Sequence, residues 1–220
     1  MSLHVGHAQT RIAVLSRSCF FLTLFIGLSS AATAPSEKAG LIKISGAIGP
    51  ITSSYIQRAI EFSTRERDAC LIIELDTPGG LLNATKDIVE AFFASPVPTV
   101  VYVAPSGATA ASAGCFITLA ADVAAMAPGT SIGAAHPVTM GAGGAESKDS
   151  NDVMKKKMEN FASSFIESIA SHRSRNVTWA ISSVRESAAI TAEKALDLNV
   201  IDVIAQNTAE LLKQEAPLNL

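Results

Sequence analysis

The chain has 220 residues, of which 48% are hydrophobic, and it carries a formal net charge of −3. This length and composition fit one globular domain with a sizeable core and exclude a disordered chain. The slight negative charge and the lack of a basic patch argue against a nucleic-acid partner.

The N-terminus has the order of residues found in secretory signal peptides. Basic and histidine residues precede the apolar run "CFFLTLFIGL", and the small residues "SSAATA" follow it. The apolar run is short for a membrane span. We therefore predict a signal peptide over residues 1–34, with an uncleaved anchor as the alternative, and a single domain over residues 35–220. The prediction implies an exported protein that is periplasmic, extracytoplasmic or membrane-associated.

The first half of the domain alternates between predicted strands and helices. Short apolar runs predict strands, and apolar residues at helical spacing predict helices. The predicted strands are 40–49, 70–76 and 98–104, and the predicted helices are 52–63 and 81–93. Strand, helix and strand in this order indicate parallel crossover units and therefore an α/β fold.

The second half contains more predicted helix. We predict helices over Ala110 to Leu119, 153–171 and 179–187, a strand over 122–128, and a final helix and strand within 191–205. The segment from Met140 to Asp152 is polar and contains glycine, which predicts a mobile loop.

Cysteine and histidine are scarce after the signal peptide. Cys70, Cys115, His136 and His172 remain, and none has the spacing of a metal site or a disulfide framework. We therefore expect no metal site, and we interpret both cysteines as buried thiols.

Ser112 interrupts a stretch of alanine and glycine, "ATAASAGC". It follows an apolar strand and begins a predicted helix, where unpaired N–H groups and the helix dipole favour developing negative charge. The alternative is an ordinary small residue in a packed helix. Cys115 is a second possible nucleophile, which would need His136 or a lysine nearby, but a buried thiol is the preferred interpretation.

Gly79 and Gly80 follow a buried strand in "ELDTPGG". Ligands of open α/β sheets bind at the carboxyl ends of the strands, and glycine backbones can offer N–H groups there. A plain turn is the alternative interpretation.

A resemblance to a known family is carried by long segments, namely "LIIELDTPGGLLNATKDIVEAF", "ATAASAGCFITLAADVAAMAPGTSIGAAHPV" and "RNVTWAISSVRESAAITAEKALDLNVIDVIA". They resemble the N-terminal protease domain of the NfeD family, a branch of the ClpP/crotonase fold related to signal peptide peptidase A. The resemblance runs from about Leu41 to Ala205. It implies repeated β-β-α/βαβ units with a parallel sheet and flanking helices. It also implies a serine endopeptidase with a Ser–Lys dyad and no metal or cofactor.

The resemblance assigns roles to particular residues. The nucleophile corresponds to Ser112, and the oxyanion donors correspond to Gly79 or Gly80 and to the N–H of Ala113. The implied partners are peptide or membrane-protein substrates with a hydrophobic segment, such as stomatin-like proteins.

The base has three candidates, Lys155, Lys156 and Lys157. Counting back along the family pattern from Asn176 through Asn160 reaches Lys157. Helical periodicity favours Lys155, which lies nearest to the predicted apolar arc of Met154, Met158, Phe161, Phe165 and Ile169. We take Lys157 as the base and expect Met154 and Phe161 to form the apolar wall that lowers its pKa.

Other interpretations of the sequence remain open. Family members commonly continue into membrane spans and a small β-barrel domain, so this chain resembles a stand-alone short form.

We expect a homo-oligomer, because the helix near Trp179 and the segment 199–204 offer apolar surface. The alternative functions are an inactive scaffold that binds hydrophobic peptides and an acyl-CoA enzyme of the crotonase type.

Overall fold

The computed structural model describes residues 38–138 and 148–215, and this part of the chain contains two sheets. The strands in chain order are β1 Ala39–Ser45, β2 Cys70–Asp76, β3 Thr99–Val103, β4 Thr109–Ala111, β5 Val123–Met126, β6 Ser131–Gly133, β7 Ala189–Thr191 and β8 Val203–Ile204. The larger sheet has the order β1-β2-β3-β5-β8, and all its pairs are parallel. The predicted α/β class with a parallel sheet is therefore confirmed.

Helices connect the strands of the larger sheet. They are α1 Pro50–Glu66, α2 Leu82–Phe93, α3 Ala113–Ala120, α4 Lys148–His172, α5 Val177–Arg185, α6 Ala192–Asp197 and α7 Thr208–Glu215. Proline at the first position of α1 and the Asn176 side chain, which accepts a bond from the Trp179 N–H, explain where α1 and α5 begin. Within the described ranges, no helix is both long enough and apolar enough to cross a membrane.

The central strands are buried on both faces. Every residue of β3 is buried, and its side chains alternate between two apolar clusters on opposite faces of the sheet. Val101 and Val103 join the larger cluster beneath the helices, whereas Val100 and Tyr102 join the smaller one. Burial on both faces explains why these strands are nearly continuous apolar runs in the sequence.

The smaller sheet determines where α3 begins. Strands β4 and β6 pair in parallel, and β6 pairs with β7 in antiparallel fashion. The helix predicted from Ala110 is wrong at its start, since residues Thr109–Ala111 form β4 and the helix begins at Ala113. Alanine favours helix, but here pairing with β6 overrides that weak preference.

Helix α4 is longer than predicted and buries a different face. The predicted loop is wrong over its last five residues, because the helix starts at Lys148, and residues 139–147 lie outside the described ranges. Its buried residues are Ala162, Ser163, Ile166, Ile169 and Ala170. Met154 and Phe161 are 54% and 50% exposed, so they do not form the expected apolar wall. At 3.6 residues per turn, the buried face is rotated by roughly 100° from the predicted arc.

The apolar surface that suggested an oligomer is buried within the domain. Trp179, Val200 and Ile201 all belong to the larger cluster, with exposed fractions of 7%, 0% and 1%. The stated reason for self-association is therefore wrong, and the oligomeric state stays a prediction.

Candidate active site

Ser112 lies at the junction of β4 and α3 in a rare backbone conformation. Its φ is 50° and its ψ is −111°, values that a residue with a side chain adopts only under strain. Its N–H donates to the Gly133 carbonyl at 2.9 Å, which fixes the turn. A serine at a helix N-cap normally accepts a bond from the helix, but the Ser112 side chain makes no such bond. Its hydroxyl is therefore left for chemistry at the positive end of α3.

The turn after β2 is tied to the strand that leads into Ser112. The Thr77 N–H donates to Thr109 O at 2.8 Å, and the Ala111 N–H donates to Thr77 O at 3.1 Å. The Thr77 hydroxyl also accepts from the Gly79 N–H and donates to Gly79 O, both at 3.1 Å. The glycine turn and Ser112 are consequently held as one unit.

Gly79 approaches Ser112 more closely than any residue with a side chain could. A Cβ atom on Gly79 would lie 2.8 Å from Ser112 Cβ and 3.2 Å from its Oγ, and the φ of Gly79 is +130°. Only glycine combines this conformation with this close approach. Gly79 is thus required by its contact with Ser112, so the "PGG" segment is more than a plain turn.

The oxyanion candidates differ in whether their N–H groups are available. The Gly79 N–H is already donated to Thr77 Oγ1. The Gly80 N–H has no hydrogen-bond partner within the described ranges, nor does that of Ala113, which begins α3. Of the predicted donors, Gly80 and Ala113 can therefore bind a developing oxyanion, and Gly79 supports the turn.

Ser112 opens onto a cleft of about 950 Å³. The walls come from the turns after β1 and β2, the start of α3, residues 134–138 and two residues of α4, Met158 and Ala162. The lining is predominantly apolar, because most of its side chains are alanine, isoleucine, leucine, valine, proline and methionine. A cleft of this kind suits a peptide with apolar side chains.

The three lysine candidates do not line the cleft. Lys155, Lys156 and Lys157 are all exposed on α4, whereas Met158 on the same helix reaches the cleft wall. At about 100° per residue, Lys155 lies roughly 40° from the helix direction midway between Met158 and Ala162, and Lys157 lies roughly 120° from it. Helix geometry thus favours Lys155, in opposition to the register that favours Lys157.

His136 lines the same cleft, although the sequence suggested it only as a helper for Cys115. Its Nδ1 lies 2.9 Å from the Val184 carbonyl oxygen, and the ring is half-buried. No sequence signal places it there, because it follows β6 by three residues and that strand is too short to be predicted.

Cys115 does not have the properties of a nucleophile. Its side chain is fully buried, and its thiol lies 3.8 Å from the Ser183 hydroxyl. Burial raises the pKa of Cys115 to about 12, so the thiol stays protonated near neutral pH. The interpretation as a buried thiol is therefore supported.

Two arginines hold the far end of α3. Arg175 donates to Leu119 O at 2.8 Å and to Ala121 O at 3.0 Å, and it pairs with Asp202 at 2.5 Å. Arg173 Nε–H donates to the carbonyl of Ala120, in the same turn, at 2.7 Å. Burial lowers the pKa of Arg175, and the charge of Asp202 opposes that shift. The helix that begins after Ser112 is therefore fixed at its C-terminal end as well.

Comparison with known proteins identifies relatives over most of the chain. The family model described as NfeD1b, N-terminal domain, matches residues 39–218. The membrane-bound protease PH1510 of Pyrococcus horikoshii is 38% identical over 172 residues, which are 78% of this chain and 38% of that protein. The membrane protein NfeD1b of Bacillus subtilis is 29% identical over 142 residues, which are 64% of this chain and 32% of that protein. The chain thus spans about a third to two fifths of these relatives.

Solved structures of the protease 1510-N also match most of this chain. A serine-to-alanine mutant of the stomatin-specific protease 1510-N has a TM-score of 0.73 and 36% identity, covering 81% of this chain and 84% of that one. A lysine-to-alanine mutant of 1510-N with a substrate peptide has the same score and identity, covering 81% and 80%. The predicted resemblance and the ClpP-like protease fold are confirmed. The chain belongs to the family of NfeD1b N-terminal domains.

Proposed function

We propose that this domain is a serine endopeptidase in which Ser112 is the nucleophile. The observation that carries the proposal is the strained turn at Ser112, which leaves its hydroxyl uncapped at the start of α3, beside the cleft. The similarity to a protease solved as a serine-to-alanine mutant supports it.

The reaction follows from the groups around Ser112. Ser112 Oγ attacks the peptide carbonyl carbon and passes its proton to a base, which then protonates the leaving amine. The N–H groups of Gly80 and Ala113 bind the oxyanion, a contribution worth about 10²–10³-fold in rate for each donor. Water then hydrolyses the acyl-serine, which releases the acid and restores the hydroxyl.

The proposed base is Lys157, chosen by register, with Lys155 as the alternative. The lysine-to-alanine mutant of 1510-N, which was solved with a substrate peptide, supports a functional lysine in this fold. A lysine serves as a base only where it is desolvated. Since the candidates on α4 are exposed, we propose that bound peptide supplies the desolvation.

The proposed substrate is a hydrophobic segment of a membrane-associated, stomatin-like protein. Leu81 and Val138 line the cleft and are 53% and 76% exposed, so apolar side chains are available at its mouth. The relative 1510-N is described as specific for a stomatin homologue. We further propose export or membrane association through the N-terminal apolar segment. Residues 1–37 lie outside the described ranges.

We also propose a homo-oligomer, on different grounds from those that the sequence suggested. Leu41 on the edge strand β1 and Phe62 on α1 are 48% and 55% exposed, and apolar side chains of this kind are available for a second copy. Light scattering at micromolar concentration tests the assembly, and a fully active monomer would contradict it.

The nucleophile is tested with a serine-reactive fluorophosphonate probe and a hydrophobic peptide substrate. We expect Ser112→Ala to lose both labelling and cleavage, by about 10⁴-fold or more, with an unchanged thermal midpoint. Ser106→Ala, which alters an exposed serine in the turn before β4, is the matched control and should react normally. Peptide binding without labelling of the wild type would instead support the inactive scaffold.

A further inference from the structure

The cleft holds one side chain whose chemistry the proposed reaction does not yet use. Among the described residues that line it, His136 is the only titratable one. The other polar side chains there are the hydroxyls of Ser112 and Thr85, and the Thr85 hydroxyl is donated to the Leu81 carbonyl at 3.0 Å. An acid–base group in an otherwise apolar cleft beside a nucleophile is a candidate for proton transfer.

The backbone holds His136 in place relative to Ser112. Ala111 is the register partner of Gly133, and the Ser112 N–H donates to Gly133 O, so the two segments run side by side toward the cleft. Ala135 is anchored by its N–H, which donates to Ser183 O at 2.8 Å. His136 therefore follows a fixed residue and lies three positions beyond the carbonyl that holds Ser112.

The hydrogen bond of His136 determines which ring nitrogen is available. A carbonyl oxygen only accepts, so the 2.9 Å contact with Val184 O places the proton on Nδ1. In the neutral ring Nε2 is then an acceptor, and no group within the described ranges donates to it. This arrangement is the one required of a histidine base oriented by a carbonyl.

We propose that His136 is the base for the water that hydrolyses the acyl-Ser112 intermediate. Nε2 takes a proton from water as the water oxygen bonds to the acyl carbon. The bond from that carbon to Ser112 Oγ then breaks, and Oγ receives the proton from Nε2, so that ester and water give acid and free serine. The ring is half-buried at the cleft wall, where water can enter once the amine product has left. The inference rests on the proposed peptidase function.

Two variants separate proton transfer from a structural role. In His136→Asn the amide nitrogen takes the place of Nδ1 and keeps the bond to Val184 O, but no base occupies the place of Nε2. His136→Ala loses both the bond to Val184 O and the base. Each is compared with the wild type in release of 4-nitrophenol from 4-nitrophenyl hexanoate, with the initial burst and the steady-state rate measured separately, and in thermal melting.

We expect both variants to give a burst of about one equivalent while the steady-state rate falls about 100-fold, as the loss of a general base predicts. Mass spectrometry should then detect the acyl group on Ser112. Normal turnover in His136→Asn alone would show that only the bond to Val184 matters, and normal turnover in both variants would exclude any role; either result overturns the inference. Loss of the burst as well would place His136 at acylation and overturn the assignment to water. A wild type with no burst and no fluorophosphonate labelling would instead refute the peptidase function itself.

Discussion

The two sides of the cleft differ in how much of the site is already built. On the side of Ser112, hydrogen bonds fix that residue, the glycine turn and the start of α3. On the side of α4, the lysine candidates are exposed and do not line the cleft. The fold alone therefore positions Ser112 and the N–H groups of Gly80 and Ala113, the proposed nucleophile and oxyanion donors, while the proposed base needs something further, such as bound substrate. The comparison separates substitutions that disturb chemistry alone from those that also disturb the fold.

After the loss expected for Ser112→Ala, the largest effect is expected on the α4 side, where register and helix geometry disagree. If Lys157 is the base, Lys157→Ala and Lys157→Arg should lower kcat by about 10²–10⁴-fold, because neither side chain can accept the proton. Since Lys157 is exposed, the thermal midpoint should not change. Cleavage of a hydrophobic peptide is the measurement, with Lys156→Ala as the control. An inactive Lys155→Ala beside an active Lys157→Ala would show that helix geometry was the better guide.

The next effect tests how closely the glycine turn approaches the nucleophile. Gly79→Ala should slow fluorophosphonate labelling of Ser112 by about 10²–10³-fold, because the new Cβ would lie 2.8 Å from Ser112 Cβ and displace the turn that bears the Gly80 N–H. Gly107→Ala is the matched control, since Gly107 also has a positive φ, +93°, but has open space around it. If labelling is slowed equally in the two variants, the slowing comes from backbone strain and not from the contact with Ser112. Normal labelling in both variants would contradict the prediction.

A smaller effect is expected at the far end of α3. Arg175→Met should lower the free energy of unfolding by on the order of 3 kcal/mol, because the buried carbonyls of α3 and the Asp202 carboxylate lose their partner. Urea unfolding is the measurement. Lys86→Met removes an exposed ion pair with Glu90 and should change little. An equally small change in both variants would show that α3 does not need the arginine.

The smallest effect, taken per pH unit, is a pH dependence of stability that comes from Cys115. Folding raises the pKa of Cys115 to about 12, so its contribution is complete below the ordinary thiol pKa of about 8.5 and is lost as pH rises toward 12. The loss is at most about 1.4 kcal/mol per pH unit. When the free energy of unfolding is measured with urea at a series of pH values, it should therefore fall less steeply with pH in Cys115→Ala than in the wild type. The same slope in both proteins would assign the effect to other groups.

The parts that the sequence predicted are those with a strong local signal. Strands β2 and β3 could be predicted because burial on both faces forces a continuous apolar run. Ser112 could be placed near a helix start because small residues follow an apolar strand. Strands β4, β6 and β7 have three residues each, which is too few to show a period.

Helix α4 shows why the surroundings of the proposed base were harder to predict. Large apolar residues at helical spacing predicted its buried face, but small residues, Ala162 and Ser163, face the core, while Phe161 is half exposed. Periodicity reports where apolar residues lie and not which of them the neighbouring elements leave room for. Periodicity nevertheless favoured Lys155, as the helix geometry does, although the apolar arc on which it rested is rotated from the buried face by roughly 100°.

The burial of both thiols in residues 38–215 has a practical consequence for spectroscopy. Cys70 is 4% exposed and Cys115 is 0% exposed, so a thiol-reactive dye has little access to either in the folded domain. A cysteine introduced at Val153, which is 57% exposed in the second turn of α4, would therefore take up the label in preference to both thiols of residues 38–215. A fluorophore there would report, by a change in emission on adding a hydrophobic peptide, whether the lysine-bearing turn of α4 closes over the bound substrate.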